Sequence, residues 1–357
     1  MPRFRDDLDR IAAYKPGTPI EEAARQLGMD DIVKLASNEC PLPPFPEVQQ
    51  AIAKAAATAH RYPDNDASEL RAEVAKFLSV PQDSIVFGTG SASLMMISAL
   101  ALGGPGRSIA YGWPSFGLYR IAARTSFSTE IEVPLTGDHR YDLKALAAAI
   151  RPDTSLVYLC NPNNPTGTYV PLAAVADFID AVPDDVAVIV DEAYYEYVQA
   201  PDFGTALPIA LERDNVLVAR TFSKVYGLAG LRVGYLVGDP ATISELRRVQ
   251  VPFSVSTVAQ AGATEALQHQ ERVADRVHAN AAAVKVFADE LSSRDYEFAD
   301  SQTNFVYMHP RDRSEDFLAA MARNGIVVRP FGQGWIRVTF GSEQENARFF
   351  AALDEVG

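Results

Sequence analysis

Cysteine is nearly missing from this chain: Cys40 and Cys160 are the only two among 357 residues. They sit in dissimilar contexts without metal-ligand spacing, which argues against a disulfide framework and for reduced thiols in a cytoplasmic setting. Basic charge is also short. Lys and Arg number 32 against 46 Asp and Glu, a formal net charge of −14 with a pI near 4.8. That balance, with no basic cluster, opposes a nucleic-acid or membrane partner. No run approaches the ~18 consecutive apolar residues of a membrane span, and Met1–Arg10, charged throughout, does not read as a signal peptide. The five histidines (His60, His139, His269, His278, His309) are scattered, so no metal site is expected. Motif order supports no Ser/His triad, and repeats, low-complexity segments and flexible linkers are lacking.

What is present suits a large α/β enzyme. With 48% hydrophobic and 22% charged positions, the chain can bury a sizeable core and is long enough for two domains. Apolar runs near 85–87, 108–111, 155–160, 186–191, 216–220 and 233–237 alternate with helical runs such as 92–102, 115–124, 142–150 and 171–181. This alternation predicts a mostly parallel sheet covered by helices. Residues 1–45 read as an extended arm, 46–270 as the large domain and 271–357 as a smaller α+β domain. A helical stretch over 270–292 leads into the last, where strands near 304–308, 326–329 and 335–340 surround a helix at 314–323, with a closing helix at 343–354.

Four motifs carry chemistry. In Arg220-Thr221-Phe222-Ser223-Lys224-Val225-Tyr226-Gly227-Leu228-Ala229-Gly230-Leu231-Arg232, a lysine flanked by hydroxyls precedes an arginine by eight residues. A pyridoxal phosphate site needs such a lysine to bond to an aldehyde, small donors for phosphate oxygens, and a permanent cation that grips phosphate bidentately. Lys224 would form the Schiff base and Arg232 would pair with the phosphate.

Asn161-Pro162-Asn163-Asn164-Pro165-Thr166-Gly167 follows a short apolar run, which places Asn164 at a strand's carboxyl end, where open parallel sheets bind ligands. Its amide would donate to the cofactor's phenolic oxygen. Val186-Ala187-Val188-Ile189-Val190-Asp191-Glu192-Ala193-Tyr194 is a second buried strand ending in an acid. Asp191 is the candidate counter-ion of the pyridine nitrogen, which keeps the ring an electron sink, and Tyr194 is a second donor to the phenolic oxygen. In Phe87-Gly88-Thr89-Gly90-Ser91-Ala92-Ser93 a Gly/Ser turn opens a helix, so Ser91, Ala92 and Ser93 form a candidate phosphate cradle. The pattern lacks the later third glycine of a dinucleotide fingerprint.

Taken together these motifs resemble the fold type I pyridoxal phosphate enzymes, and within them the histidinol-phosphate aminotransferase family. Further signatures agree over nearly the whole chain: Lys34-Leu35-Ala36-Ser37-Asn38-Glu39, Arg61-Tyr62-Pro63-Asp64-Asn65, Asn304-Phe305-Val306, Ile326-Val327-Val328-Arg329-Pro330 and Ile336-Arg337-Val338-Thr339. The resemblance implies a seven-stranded sheet sandwiched by helices, pyridoxal 5'-phosphate as cofactor, and a homodimer with shared active sites. It implies that Lys224 carries the catalytic proton, that Thr221, Ser223 and Arg232 hold the phosphate with Ser91 to Ser93, and that Phe116 stacks on the pyridine face. Tyr62 would reach the phosphate of the partner's site. Arg337 would clamp the substrate carboxylate, since a planar fork matches it as lysine cannot, with Arg329, Tyr14 and Asn38 also on the substrate side.

Two departures bear on the substrate. Gly90-Ser91-Ala92-Ser93 stands where typical histidinol-phosphate enzymes have G-S-D-E, and Phe116 stands where they have tyrosine. These features, with Arg61–Asn65 and Val251-Pro252-Phe253, look like the aromatic aminotransferase branch of the family. Phe116, Trp113, Tyr14 and Phe253 are candidate pocket walls for a flat apolar side chain. The expected reaction is therefore amino transfer between an aromatic amino acid and a 2-oxo acid such as 2-oxoglutarate. Alternatives are a histidinol-phosphate aminotransferase, a threonine-phosphate decarboxylase and a non-catalytic regulator that retains the fold. The anion clamp alone does not discriminate, because carboxylate and phosphate accept the same forked donors.

Overall fold

A computed structural model describes residues 2, 3, 8–11, 13, 17 and 19–356. Thirteen strands occur among these residues. They are β1 (Val33–Lys34), β2 (Ile85–Gly88), β3 (Ser108–Trp113), β4 (Thr129–Pro134), β5 (Thr154–Cys160), β6 (Ala187–Asp191), β7 (Val216–Thr221), β8 (Gly234–Gly238), β9 (Glu297–Phe298), β10 (Phe305–His309), β11 (Ile326–Val327), β12 (Arg329–Pro330) and β13 (Ile336–Thr339).

Seven of them form one sheet in the order β2-β8-β7-β6-β5-β3-β4, in which only β8 runs against the rest. Every residue of β5, β6 and β7 is buried. Central parallel strands are covered on both faces, which is why they read as continuous apolar runs. Along β2 and β8 alternate residues enter two different cores: Val86 and Leu236 join one, and Ile85, Phe87, Tyr235 and Val237 the other. The helices Gly90–Leu102, Leu118–Thr125 and Leu172–Ala181 supply the first core, and Pro46–Ala56, Ser68–Leu78 and Thr257–Leu267 the second.

A third core lies around the antiparallel sheet β12-β13-β10-β9. The 24-residue helix Gln270–Ser293 reaches both, with Val273 packed in the second core and Phe287 and Leu291 in the third.

Two expectations change. The arm is not extended throughout: Ile20–Leu27 is a helix closed by Gly28 in the left-handed conformation (φ 67°), with its N–H bonded to the Ala24 carbonyl. Its Glu, Ala, Arg, Gln and Leu are good helix formers, and glycine is the usual stop. Beyond it, β1 pairs in parallel with β11, so Val33 faces Ile326 and Lys34 faces Val327. The second change is the additional strand β4. It lies at the sheet edge and carries Glu130 and Glu132, the charged pattern by which edge strands avoid further pairing. No helix among the described residues is long and apolar enough to cross a membrane.

Candidate active site

The carboxyl ends of β2, β3, β5, β6 and β7 open onto a cavity of about 410 Å³. The arm residues Ala36 to Asn38 and the β12–β13 region close its other side. A parallel sheet gathers its loops at one edge, so residues over a hundred positions apart meet there.

Helix Gly90–Leu102 begins at the floor with no side-chain cap. Its first-turn N–H groups therefore remain available to an anion. Ser91 and Ala92 line the cavity, but Ser93 does not: its hydroxyl turns back to donate to the Gly90 carbonyl at 3.1 Å. Gly90 has φ +74°, and a Cβ there would lie 2.4 Å from Arg232 Nη2. Only glycine lets the guanidinium settle against this turn, where Nη2 donates to the Thr89 carbonyl and Nη1 to those of Ala229 and, at 3.4 Å, to Ser223 Oγ. Thr221 Oγ1 donates to Ser223 Oγ at 3.0 Å. Ser91, Ala92, Thr221, Ser223 and Arg232 thus meet at one corner of the cavity, without Ser93.

Lys224 lies partly buried in the cavity with Nζ donating to the Asn38 carbonyl at 3.2 Å. Burial pushes its pKa down to about 7; Arg337 and Arg232 act in the same direction, and Glu39 and Asp191 oppose them. The lysine therefore divides between amine and ammonium near pH 7, instead of being fully protonated as an exposed lysine is. Asp191 is 2% exposed. Burial raises its pKa to about 6, against the Tyr119 hydroxyl and the Ala193 N–H, which hold it down with Lys224. Tyr119 donates to Oδ2 at 2.8 Å and Ala193 N–H to Oδ1 at 3.2 Å.

Asn164 and Tyr194 are each left one way to donate. Asn164 Oδ1 accepts from Arg337 Nη1 at 2.5 Å, leaving its NH₂ group as donor. The Tyr194 hydroxyl accepts from Asn38 Nδ2 at 2.9 Å, so its own proton points elsewhere. Asn38 is itself fixed: it has φ 53°, its N–H donates to Thr339 Oγ1 at 2.9 Å and its Oδ1 accepts from the same hydroxyl at 3.1 Å.

On the opposite wall, Arg329 and Arg337 face each other directly across β12 and β13. Like charges at opposed positions repel. Arg337 Nη2 donates to the Ala36 carbonyl at 2.7 Å, and its guanidinium lies 5.7 Å from the Phe331 ring. Both arginines line the cavity, where their forked donors suit a carboxylate. Trp113, Phe116, Ile121 and Phe331 add apolar surface, with the Phe116 ring edge-on to Tyr119 at 5.6 Å. Two further cations reach this wall, but both are matched by acids of β4. Arg120 grips Glu132 with Nε at 2.7 Å and Nη2 at 2.8 Å, and Arg124 Nε donates to Glu130 at 2.7 Å.

The expected wall residue Phe253 is not in this cavity. It is 45% exposed and stacks on Tyr62 with centroids 4.8 Å apart. Tyr62, 82% exposed, also stays outside its own chain's cavity. Tyr14 lies outside the described residues. Sequence reading missed Tyr119 as a partner of Asp191. A signal existed: Tyr119 follows Phe116 by three residues, the spacing that brings neighbouring rings together at a helix start.

The sequence profile of the family "Aminotransferase class I and II" matches residues 30–353. The chain belongs to this aminotransferase family. It is 44% identical over 355 residues to an "Aromatic amino acid aminotransferase" of Nocardia farcinica, covering 98% of this chain and 97% of the relative. It is 38% identical over 361 residues to a "Histidinol-phosphate aminotransferase" of Moorella thermoacetica, covering 100% and 93%. A solved histidinol-phosphate aminotransferase from Sinorhizobium meliloti, in complex with pyridoxal-5'-phosphate, superposes with a TM-score of 0.92 at 27% identity, covering 100% of this chain and 98% of that one. This aminotransferase therefore shares its α/β sheet architecture with the fold type I enzymes.

Proposed function

We propose that this chain is a pyridoxal 5'-phosphate-dependent aminotransferase that moves an amino group between an aromatic amino acid and a 2-oxo acid, with 2-oxoglutarate as acceptor. The cavity suits the cofactor chemically: an uncapped helix start and Arg232 for the phosphate, a buried carboxylate for a pyridinium, and a lysine whose lowered pKa makes the neutral amine accessible near pH 7. Ser91, Ala92, Thr221, Ser223 and Arg232 would hold the phosphate, Asp191 the ring nitrogen, Asn164 and Tyr194 the phenolic oxygen, and Phe116 the ring face. When bound, the cofactor supplies an aldehyde for amine exchange and a ring that accepts the electrons left when the α-proton departs.

Lys224 Nζ would take that α-proton and hold it for return, a role that suits an amine with a pKa near the working pH. Arg337, with Arg329 beside it, holds the substrate carboxylate and so fixes which α-bond faces Lys224. Burial of Asp191 excludes water from the carboxylate that would accept the ring nitrogen's N–H and keep that nitrogen protonated. Asn38, through Tyr194, sets the direction of that hydroxyl's proton.

The observation that carries the aromatic reading is the pairing of Arg120 with Glu132 and Arg124 with Glu130. The side wall is apolar, and its extra cations are cancelled. A phosphate monoester brings about −1.5 to −2 charges at neutral pH, whereas an aromatic ring brings none and the distal carboxylate of 2-oxoglutarate one. Single-turnover loss of the bound-cofactor absorbance on adding phenylalanine or histidinol phosphate separately tests this, with recovery by 2-oxoglutarate. Faster conversion with phenylalanine is expected; preference for histidinol phosphate would overturn the substrate assignment, and carbon dioxide release without amino transfer would overturn the reaction.

The same reading includes a homodimer with Tyr62 serving the partner's site, supported by the exposure of the Tyr62–Phe253 stack outside its own cavity. It divides the chain into an arm over 1–45, a cofactor-binding domain over 46–270 and a small domain over 271–357.

A further inference from the structure

Tyr119 is fully buried, and its hydroxyl lies 2.8 Å from Asp191 Oδ2. The ring is clamped on two sides. Tyr158 stacks on it with centroids 4.6 Å apart at 12°, and Phe116 meets it edge-on. Tyr158 is in turn pinned by its own hydroxyl, which donates to the Met95 carbonyl at 2.7 Å. The tyrosine hydroxyl therefore has little freedom to leave the carboxylate. Without it, Asp191 would keep one intramolecular donor, the Ala193 N–H at 3.2 Å on the other oxygen.

We propose that Tyr119 is a positioning residue, whose buried hydroxyl donates to Asp191 Oδ2 and keeps that carboxylate ionised and aimed at the cofactor's ring nitrogen. This rests on the cofactor assignment above. A hydrogen bond to the charged form of a buried acid favours that form. Burial alone drives Asp191 toward its neutral form, and the groups facing it are mixed. Lys224 favours the charge and Glu192 opposes it; the neutral Cys160, Tyr158, Tyr141 and Tyr194 surround it from β5 and the adjoining loops and contribute no cation. Glu192 is held by Arg220 through Oε2 at 2.8 Å, so its charge is largely matched locally. The Tyr119 hydroxyl is thus the first of the interactions that offset burial.

The mechanism turns on where one proton sits. If Asp191 becomes more basic, the proton shared with the ring nitrogen shifts toward the carboxylate. A bound ring would then withdraw electrons less strongly, and the nitrogen joining Lys224 to it would become more basic.

Tyr119→Phe retains the ring and both stacking contacts and removes only the donor. Pyridoxal phosphate affinity of the unliganded protein is expected to fall about tenfold, in line with loss of a hydrogen bond to a charged group. The pH midpoint at which the lysine-linked cofactor changes absorbance should rise, and kcat should fall while the KM of the amino donor stays within about twofold. Tyr158→Phe is the comparison: it keeps the stacked ring and removes a hydroxyl that reaches the Met95 carbonyl and not Asp191, so affinity and midpoint should change far less than in Tyr119→Phe. A 3-fluorotyrosine at position 119, isosteric and a stronger donor, should move the midpoint the other way, which tests the idea even if the phenylalanine variant folds poorly. Equal changes in Tyr119→Phe and Tyr158→Phe, or no change in either readout, would overturn the proposal while wild-type binding keeps the cofactor assignment intact. Wild-type protein that binds no pyridoxal phosphate would overturn both.

Discussion

Asn38 Nδ2 donates to the Tyr194 hydroxyl at 2.9 Å, joining the arm to the end of β6 across 156 positions of chain. The direction of this bond decides where the phenolic proton goes. Asn38→Asp keeps a residue tolerant of positive φ but turns the donor into an acceptor, so Tyr194 would donate to position 38. Cofactor affinity and kcat should both fall several-fold, with the melting temperature little changed. Equilibrium binding of pyridoxal phosphate and steady-state rates check this.

Lys224→Ala should abolish covalent cofactor attachment and turnover. Borohydride reduction followed by mass spectrometry reads the first directly, since the wild type should gain the mass of the reduced cofactor and the variant should not. A variant that remained active with the bound-cofactor absorbance intact would contradict the assignment.

The lowered pKa of Lys224 has two consequences of definite sign. The amine is neutral above about pH 7 and protonated below it, so its rate of reaction with an aldehyde probe should rise through pH 7 and level off near pH 8. Unfolded, the lysine keeps its proton up to its ordinary value of 10.5. Between about 7 and 10.5 the unfolded chain holds the extra proton, so this group's contribution makes the unliganded protein more stable as pH rises through that window and less stable as pH falls through it, with no further change below about 7. Comparing wild type with Lys224→Met by chemical denaturation at pH 6 and pH 9 isolates the effect: the variant's advantage should be larger at pH 6.

Removing the β4 acids tests the substrate reading. The double variant Glu130→Gln, Glu132→Gln removes the two β4 carboxylates that Arg120 and Arg124 grip. The ratio of kcat/KM for histidinol phosphate over phenylalanine should rise about fivefold, the scale of a partly exposed ion pair, and the gain should shrink in high salt. An unchanged ratio would show that these pairs do not govern selection.

Tyr62 and Lys224 offer a test of shared sites. If each cavity uses Tyr62 of the partner subunit, mixing the Tyr62→Ala protein with the Lys224→Ala protein should create hybrid dimers with one complete site. Activity should then exceed that of either parent. Additive activity without recovery would argue for independent sites.

The strands β2, β3, β5, β6, β7 and β8 and four of the helices between them were legible in the sequence, because strands buried on both faces leave continuous apolar runs bounded by turn residues; the short helix Leu207–Glu212 was not. Lys224, Asp191, Asn164 and Arg232 were legible for a related reason: each ends or follows such a strand, and chemistry at a sheet's carboxyl edge needs these residue types in a local motif. The edge strand β4 was not, since its alternate glutamates disguise it as a polar loop. The helix Ile20–Leu27 was hidden in an arm whose turn residues suggested extension. Tertiary structure alone decided that Tyr119 donates to Asp191, that Asn38 orients Tyr194, that Ser93 and Phe253 turn away from the cavity, and that Glu130 and Glu132 neutralise the arginines beside it. The Tyr119–Asp191 and Asn38–Tyr194 bonds join residues 72 and 156 positions apart. Local sequence specifies which groups can donate or accept, but their partners are chosen only when the sheet brings its loops to one edge and burial makes each unpaired charge costly.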